Sequence, residues 1–223
     1  MNSTKVARSK RGPYSSPRQE ERQRRILEAT RREIAALGYD AITMQGLAAA
    51  SEVSTKTLYN LYGSKDELLL TAVEDLLQQI QQHPDLTGAA PGLSSLLAFF
   101  DVTNNQIVAT PHYAEVMAKT LFQAERDHRL TRILLGDTRN FATQALAISI
   151  ERGEVHPDID SIAIGKILMA NEWGAILMWS KGLLPLQQFS RRALESRLMT
   201  LLPVCRGRMK QSLALQLNAL LFE

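Results

Sequence analysis

The sequence predicts an all-α protein, and three observations carry that reading. Apolar residues recur at three- and four-residue spacing along nearly the whole chain. No segment sustains the two-residue alternation of a half-buried strand. Helix-capping residues, Gly and Pro fall where they cut the chain into helix-length pieces. With 223 residues, 45% of them hydrophobic, the chain can bury a core in one large or two small domains.

Residues 1–17, with Gly12, Pro13, Ser15, Ser16 and Pro17 among basic residues, read as a flexible basic arm. A first helix is expected from Arg18 to Leu37, with Ile26, Thr30, Ile34 and Leu37 on one face and Gly38 as its stop. Thr43 is placed to cap a second short helix, and Ser54 a third after the turn at Ser51-Glu52-Val53. Ser64 followed three residues later by Glu67 has capping-box spacing and opens a longer helix to about Gln82. His83-Pro84 breaks it, and residues 87–92 form a loop. Further helices are expected over 93–109, from Thr110-Pro111 onward, over 130–152, and from Asp160 or Ser161 to Ser180. Gly182 and Pro185 end the last of these, and one or two more helices follow from Leu186. The organisation is therefore an arm, a helical domain over 18–82, and a larger helical domain over 83–223.

Charge is uneven. Residues 1–32 carry a net +7 while the whole chain carries +3, so the rest sums to −4. A basic amino end on a mildly acidic body points to a polyanion partner for one end of the molecule; a solubilising tail is the alternative that charge leaves open. Cys205 is the only cysteine, which predicts no internal disulfide, no thiolate metal site and a reducing cytoplasm. No apolar stretch follows the first charged residues, and charges interrupt every apolar segment before it reaches ~20 residues. A soluble, cytoplasmic protein is expected, with no membrane partner.

The most informative stretch is Thr43 to Leu69. A helix-turn-helix needs a small residue at the crossing, apolar residues to lock it and an exposed face on its second helix. Ala48 is the small residue, and Leu47, Val53 and Leu58 are the lock. That leaves Ser54, Thr55, Lys56, Thr57 and Asn60 as a polar outward set, suited to base edges and phosphates. Lys65 and the free N–H groups at the following helix start form a phosphate clamp. As a bare pattern, an ordinary helical hairpin with one polar face remains the alternative.

Residues 22–69 resemble the DNA-binding domain of the TetR family of bacterial transcriptional regulators. The shared features are the first helix ending at Leu37-Gly38-Tyr39, then Thr43 with Leu47-Ala48. They continue through Val53-Ser54, Thr57-Leu58-Tyr59 and Tyr62 to Ser64-Lys65-Asp66-Glu67-Leu68-Leu69. The resemblance implies that Thr43, Tyr59 and Lys65 hold the phosphate backbone. It implies that Gln45, Thr55, Lys56 and Thr57 face bases or adjacent phosphates, Gln45 with the geometry for adenine. Three positions depart from the family. Leu61 stands where an aromatic or His is usual and is expected to join the core. Glu52 occupies the usual turn Gly, where positive φ costs on the order of 1 kcal/mol. Gly46 lies inside the second helix and weakens it by up to ~1 kcal/mol relative to Ala. The head is thus expected to be modestly stable and to order on DNA.

By the same resemblance, the larger domain is expected to supply a dimer interface and a ligand pocket. Asp160 to Ser180 is the dimer-helix candidate. Ala163, Ala170 and Gly174 permit close approach, and Ile164, Ile167, Trp173, Ile176 and Met178 are available to a partner. Leu194 to Leu202 would add the second half. Phe99, Phe100, Tyr113, Met117 and Phe122 are the pocket candidates before residue 160, and Met169, Trp173 and Trp179 those after it. Asn104 or Asn171 would orient a ligand, which is expected to be small and apolar or amphipathic.

Enzymatic readings fare poorly. His83, His112, His128 and His156 are isolated, none has metal-ligand spacing, and no nucleophile elbow or phosphate-binding Gly loop is present. No catalytic residue, metal or cofactor is expected. The expectation is a homodimeric repressor, released from a palindromic operator by a small ligand. An effector-independent DNA-binding regulator or activator, or an enzyme or carrier with a vestigial head, is the alternative.

Overall fold

A computed structural model describes residues 16–124 and 128–222. Among these residues the chain forms helices and no strand, apart from one isolated β-bridge. The arm expected over 1–17 lies outside the described residues except for Ser16 and Pro17, which belong to the first helix instead. Helix α1 (Pro17–Leu37) begins one residue earlier than expected because Ser16 closes a capping box. The Ser16 hydroxyl accepts from the Gln19 N–H at 3.3 Å, and the Gln19 amide oxygen accepts from the Ser16 N–H at 3.0 Å. Ile26, Thr30 and Ile34 are buried as their shared face predicts, but Leu37, one residue before the Gly38 stop, is 56% exposed.

Three helices complete the amino-terminal unit: α2 (Met44–Ala50), α3 (Thr55–Tyr62) and α4 (Lys65–Gln81). Thr43, Ser54 and Ser64 cap them, each hydroxyl accepting a backbone N–H three residues on. The turn between α2 and α3 holds Glu52 at φ +54°, the only non-Gly residue in the left-handed region among the described residues. The carboxylate lies 3.6 Å from Arg25, an exposed pair that contributes little. Glu52→Gly is therefore expected to stabilise the protein by up to about 1 kcal/mol in chemical denaturation, because relief of left-handed strain outweighs the added chain entropy.

The remaining elements are a single turn α5 (Pro84–Thr87), α6 (Leu93–Ala109), α7 (Pro111–Gln123), a short α8 (Arg129–Thr131), α9 (Asp137–Glu151), α10 (Ser161–Ser180), α11 (Leu186–Leu201) and α12 (Gly207–Phe222). The helix expected over 130–152 is interrupted by a π-helical turn at Arg132–Gly136. One extra residue per turn there leaves no mark in apolar spacing, so the sequence does not announce it. Thr110 precedes Pro111 as expected but does not cap α7; its hydroxyl donates back to the Gln106 carbonyl. Asp160 does cap α10, accepting from the Ile162 and Ala163 N–H groups at 2.9 and 3.0 Å.

Two main cores result. The first joins α1 through α4 to Tyr113, Met117 and Leu121 of α7 and to Leu130 and Ile133. The second packs α6, α9, α10, α11 and α12 around Phe100, Leu146, Leu168 and Leu198. So α7, on the body side of the boundary expected at residue 82, is packed into the core of the amino-terminal unit. The loops after α9 and α11 are pinned by the Val155–Cys205 bridge and by Arg206 N–H donating to the Glu154 carbonyl at 2.7 Å. Cys205 is buried there and its thiol is pushed up to about 11, chiefly by burial, which leaves it unreactive at neutral pH.

Candidate nucleic-acid interface and ligand cavity

The α2–α3 pair is locked as the motif requires. Leu47 and Leu58 are fully buried, Ala48 sits at the crossing, and the Val53 N–H donates to the Ala48 carbonyl at 3.0 Å. This holds α3 rigid with its outer surface presented. Gln45 of α2 and Lys56, Tyr59 and Asn60 of α3 are exposed, Thr55 and Thr57 half-buried. Tyr59 is 52% exposed although its ring is large, which puts an aromatic hydroxyl in reach of a partner.

The hydroxyls are less available than their type suggests. Ser54 accepts the Thr57 N–H at 3.1 Å, and the two side-chain hydroxyls bond each other at 2.8 Å. Thr43 is similarly engaged with the Gly46 N–H at 3.1 Å. A cap hydroxyl keeps spare bonding capacity, so these residues can still meet a phosphate, but their orientation is set by the helix they start. Lys65 donates to the Asp40 carbonyl at 3.4 Å, which holds its ammonium beside the start of α4. Leu61 is 38% exposed and not part of the core, contrary to expectation; it lies on the outer side of α3 beside Asn60.

Part of the basic charge near the head is neutralised locally. Arg24 pairs with Glu21 and Glu28, both at 2.6 Å, and Arg31 with Asp75 at 2.9 Å. Arg129 ties the head to the body, reaching Glu67 at 2.6 Å and Glu74 at 2.8 Å on α4. The Glu67 carboxylate is thus turned toward α8 while its N–H completes the Ser64 cap.

A cavity of about 130 Å³ lies between α4, α6, α7 and α10. Five expected lining residues meet in it: Phe99, Phe100, Tyr113, Met117 and Trp173. The others do not. Phe122 is 44% exposed, its ring edge-on to Trp173 at 6.1 Å. Trp179 packs on Phe189 at 5.9 Å. Met169 stands outside the cavity, and Asn171 donates to Thr200 at 2.9 Å to join α10 to α11. Asn104 is buried but does not line it.

Sequence reasoning missed two parts of the wall. Val73, Leu76, Leu77 and Ile80 of α4 line the cavity, so the helix that opens with Lys65 is also a wall of the pocket. The charged group is Glu172, 5% exposed, with both carboxylate oxygens buried and without a partner at hydrogen-bond geometry among the described residues. Burial raises its pKa, and the positive charge of Arg197 offsets this in part. The signal was present: Lys166 and Glu172 are the only charges between Ser161 and Ser180.

The dimer candidates divide. On α10, Ile167 and Met178 are 47% and 48% exposed and Ala170 is exposed, while Ala163 and Gly174 are half-buried. Ile164 packs into the second core and Ile176 is buried beneath the cavity, so neither is presented outward. On α11, Leu198 and Leu201 are buried and Met199 is 50% exposed. Among the described residues no group of three or more His, Cys, Asp and Glu is placed to hold a metal ion. His83 and His128 instead cap α5 and α8 through Nδ1. No helix among them is long and apolar enough to cross a membrane.

Residues 26–72 match the model of a family described as bacterial regulatory proteins, tetR family. The chain is 30% identical over 124 residues to the HTH-type transcriptional repressor KstR of Mycolicibacterium smegmatis, an alignment covering 55% of this chain and 61% of that protein. It thus spans less than two thirds of the length of that curated relative. Among solved structures it is similar to SmeT, the repressor of the Stenotrophomonas maltophilia multidrug efflux pump SmeDEF. The TM-score is 0.66 at 17% identity, over 84% of this chain and 92% of that one. A complex of SmeT with triclosan is equally similar, with a TM-score of 0.66 at 18% identity over 85% and 94% of the two chains. At these identities the likeness to SmeT is one of fold.

Proposed function

We propose that this chain, which belongs to the TetR family of bacterial regulatory proteins, is a homodimeric repressor of transcription that a small molecule releases from a palindromic operator. The α2–α3 head carries this reading: a buried crossing, three capped helix starts and an outward face of Gln45, Lys56, Tyr59 and Asn60. Such a head inserts one helix in the major groove, and two related by a two-fold axis read half-sites ~34–36 Å apart. In this assignment Tyr59, Lys65 and Thr43 hold phosphates, and Gln45 with Thr55, Lys56 and Thr57 selects sequence. Ser54 positions the start of the reading helix, and Asn60 meets the backbone beside Tyr59. The repressor names of the KstR relatives and the binding of triclosan by SmeT support a reading head coupled to a ligand site.

The coupling route is short. Cavity and head share α4, and Arg129 and Arg31 clamp that helix to α8 and α1. An apolar cavity of ~150 Å³ takes a molecule the size of benzene. A larger ligand must therefore displace α4 relative to α6 and α7, moving Lys65 and the head with it. A coupling of ~1–3 kcal/mol gives several-fold to hundred-fold release.

Selection of bound duplexes from a random pool supplies the probe, and titration of the recovered duplex at two salt concentrations tests the reading. Binding that is absent or insensitive to salt sinks it. Lys65→Ala is expected to weaken every duplex alike and lower the salt slope by about 2, about 1 for each head of the dimer, whereas Gln45→Ala costs roughly 1–3 kcal/mol per half-site on the selected duplex only. A Lys65→Ala protein that changes sequence choice instead contradicts the phosphate assignment. Insensitivity of duplex binding to every apolar ligand would leave the effector-independent regulator.

A further inference from the structure

The polar end of the cavity has a definite charge. Among its described lining residues Glu172 is the only charged one; neither carboxylate oxygen has a partner at hydrogen-bond geometry, and the buried Asn104 amide of α6 beside it offsets the effect of burial only in part. The nearest cation, Arg197, stands 3.8 Å away through Nε and is held elsewhere. Its Nη2 donates to Asp101 at 3.0 Å, its Nε to the Ala193 carbonyl at 3.3 Å, and its plane lies 5.1 Å from the Phe100 ring. Two carboxylates thus share one guanidinium, leaving a net negative charge beside a cavity whose other polar lining groups are neutral. The remaining groups toward the cavity carry no compensating charge: α4 contributes only aliphatic side chains, α6 contributes Thr103 and Gln106, Thr110 follows it, and α9 contributes Thr138. From α7, Tyr113 presents a buried hydroxyl that also lacks a partner.

From this arrangement we propose that the cavity selects a small, largely apolar molecule bearing one cationic nitrogen, whose N–H groups donate to the Glu172 carboxylate. The proposal rests on the effector-gated reading and adds to it the ligand's charge. A protonated amine supplies the donors that both oxygens lack and neutralises the excess charge, and hydrogen bonds between ions are the stronger kind. Trp173, Phe99 and Tyr113 add aromatic faces that attract a cation. A neutral alcohol supplies one donor and leaves the charge; an anion meets repulsion. Burial raises the Glu172 pKa, so the ionised carboxylate is less favoured than in water and a bound cation favours it again.

The test uses the full chain with three probes sharing one cyclohexyl body, somewhat larger than benzene and so of the size that must displace α4: cyclohexylmethylamine, cyclohexylmethanol and cyclohexanecarboxylate. Calorimetric titration is expected to show the amine binding at least about tenfold tighter than the alcohol, with the carboxylate weakest. The amine's affinity is expected to rise as pH increases above the ordinary carboxylate value and Glu172 loses its proton, while the alcohol's stays flat. Glu172→Gln is expected to abolish the preference while retaining alcohol binding, which shows an intact cavity. If that variant does not fold, the pH dependence of the parent protein decides. Equal binding of alcohol and amine, or a preference that survives Glu172→Gln, overturns the assignment. Release of the selected duplex by all three probes alike overturns the charge selection and keeps the effector reading. An amine that binds selectively without altering duplex affinity supports the assignment and defeats the effector reading.

Discussion

Arg197→Ala is expected to destabilise the fold by about 3–5 kcal/mol, the range for removing one partner of a buried ion pair. Arg197 is 1% exposed and holds together four neighbours: Asp101, Glu172, the Ala193 carbonyl and the Phe100 ring. Its loss affects the two carboxylates differently. The Asp101 side chain is 54% exposed and can be rehydrated, whereas that of Glu172 is 6% exposed and cannot. Most of the cost therefore sits at Glu172, and it depends on pH. An acid whose folded pKa is raised binds more protons folded than unfolded. Stability then falls as pH rises from the unfolded value of about 4.3 to the raised folded value, and is level above it. Removing Arg197 raises the folded value further and widens that window. Chemical denaturation should thus show a smaller penalty near pH 5 than near pH 8, and Arg197→Ala with Glu172→Gln should recover part of the loss. Equal penalties at both pH values would mean that lost packing, not the stranded carboxylate, sets the cost.

That cluster also marks where the sequence stops being legible. Helix starts were readable because a cap is a local event: Thr43, Ser54, Ser64 and Asp160 each bond a backbone N–H two or three residues away. The strained turn at Glu52 was readable for the same reason. Pairings between distant residues were not. Nothing near Arg197 in the chain announces Asp101, 96 positions away, nor does α4 announce that its inner face meets α6 and α7. The pocket candidates failed on this point. Aromatic type did not fix position: Phe122 is 44% exposed, and Phe122 and Trp179 found other rings at 6.1 and 5.9 Å. Leu61 and Leu37 show the converse error, since leucine near a core was read as leucine in it. The π-helical turn at Arg132–Gly136 adds a residue without altering apolar content, and is silent for that reason.

Ile167→Arg is expected to convert the protein to a monomer and to weaken binding to the selected duplex at least about 100-fold. Along α10, Ala163, Ile167, Ala170, Gly174 and Met178 recur at spacings of four and three, so they share one face. That face presents small residues between two half-exposed large ones, Ile167 at 47% and Met178 at 48%, with Met199 of α11 at 50% beside the same pair of helices. Small residues admit a close second helix, and Ile167 and Met178 leave about half of their surface open to it. A two-fold interface repeats every substitution. One Arg per subunit therefore places two cations in an apolar contact, while each folded subunit tolerates the change because Ile167 is not in its core. The loss of duplex affinity follows from linkage between heads. Once the first has bound, the second binds at high effective concentration, an advantage of ~10²–10⁴ that separate monomers lack. Sedimentation and duplex titration on the same samples check both halves. A variant that stays dimeric and binds the full palindrome would place the interface elsewhere. A monomer that keeps full affinity would show that one head suffices and that the second half-site contributes nothing.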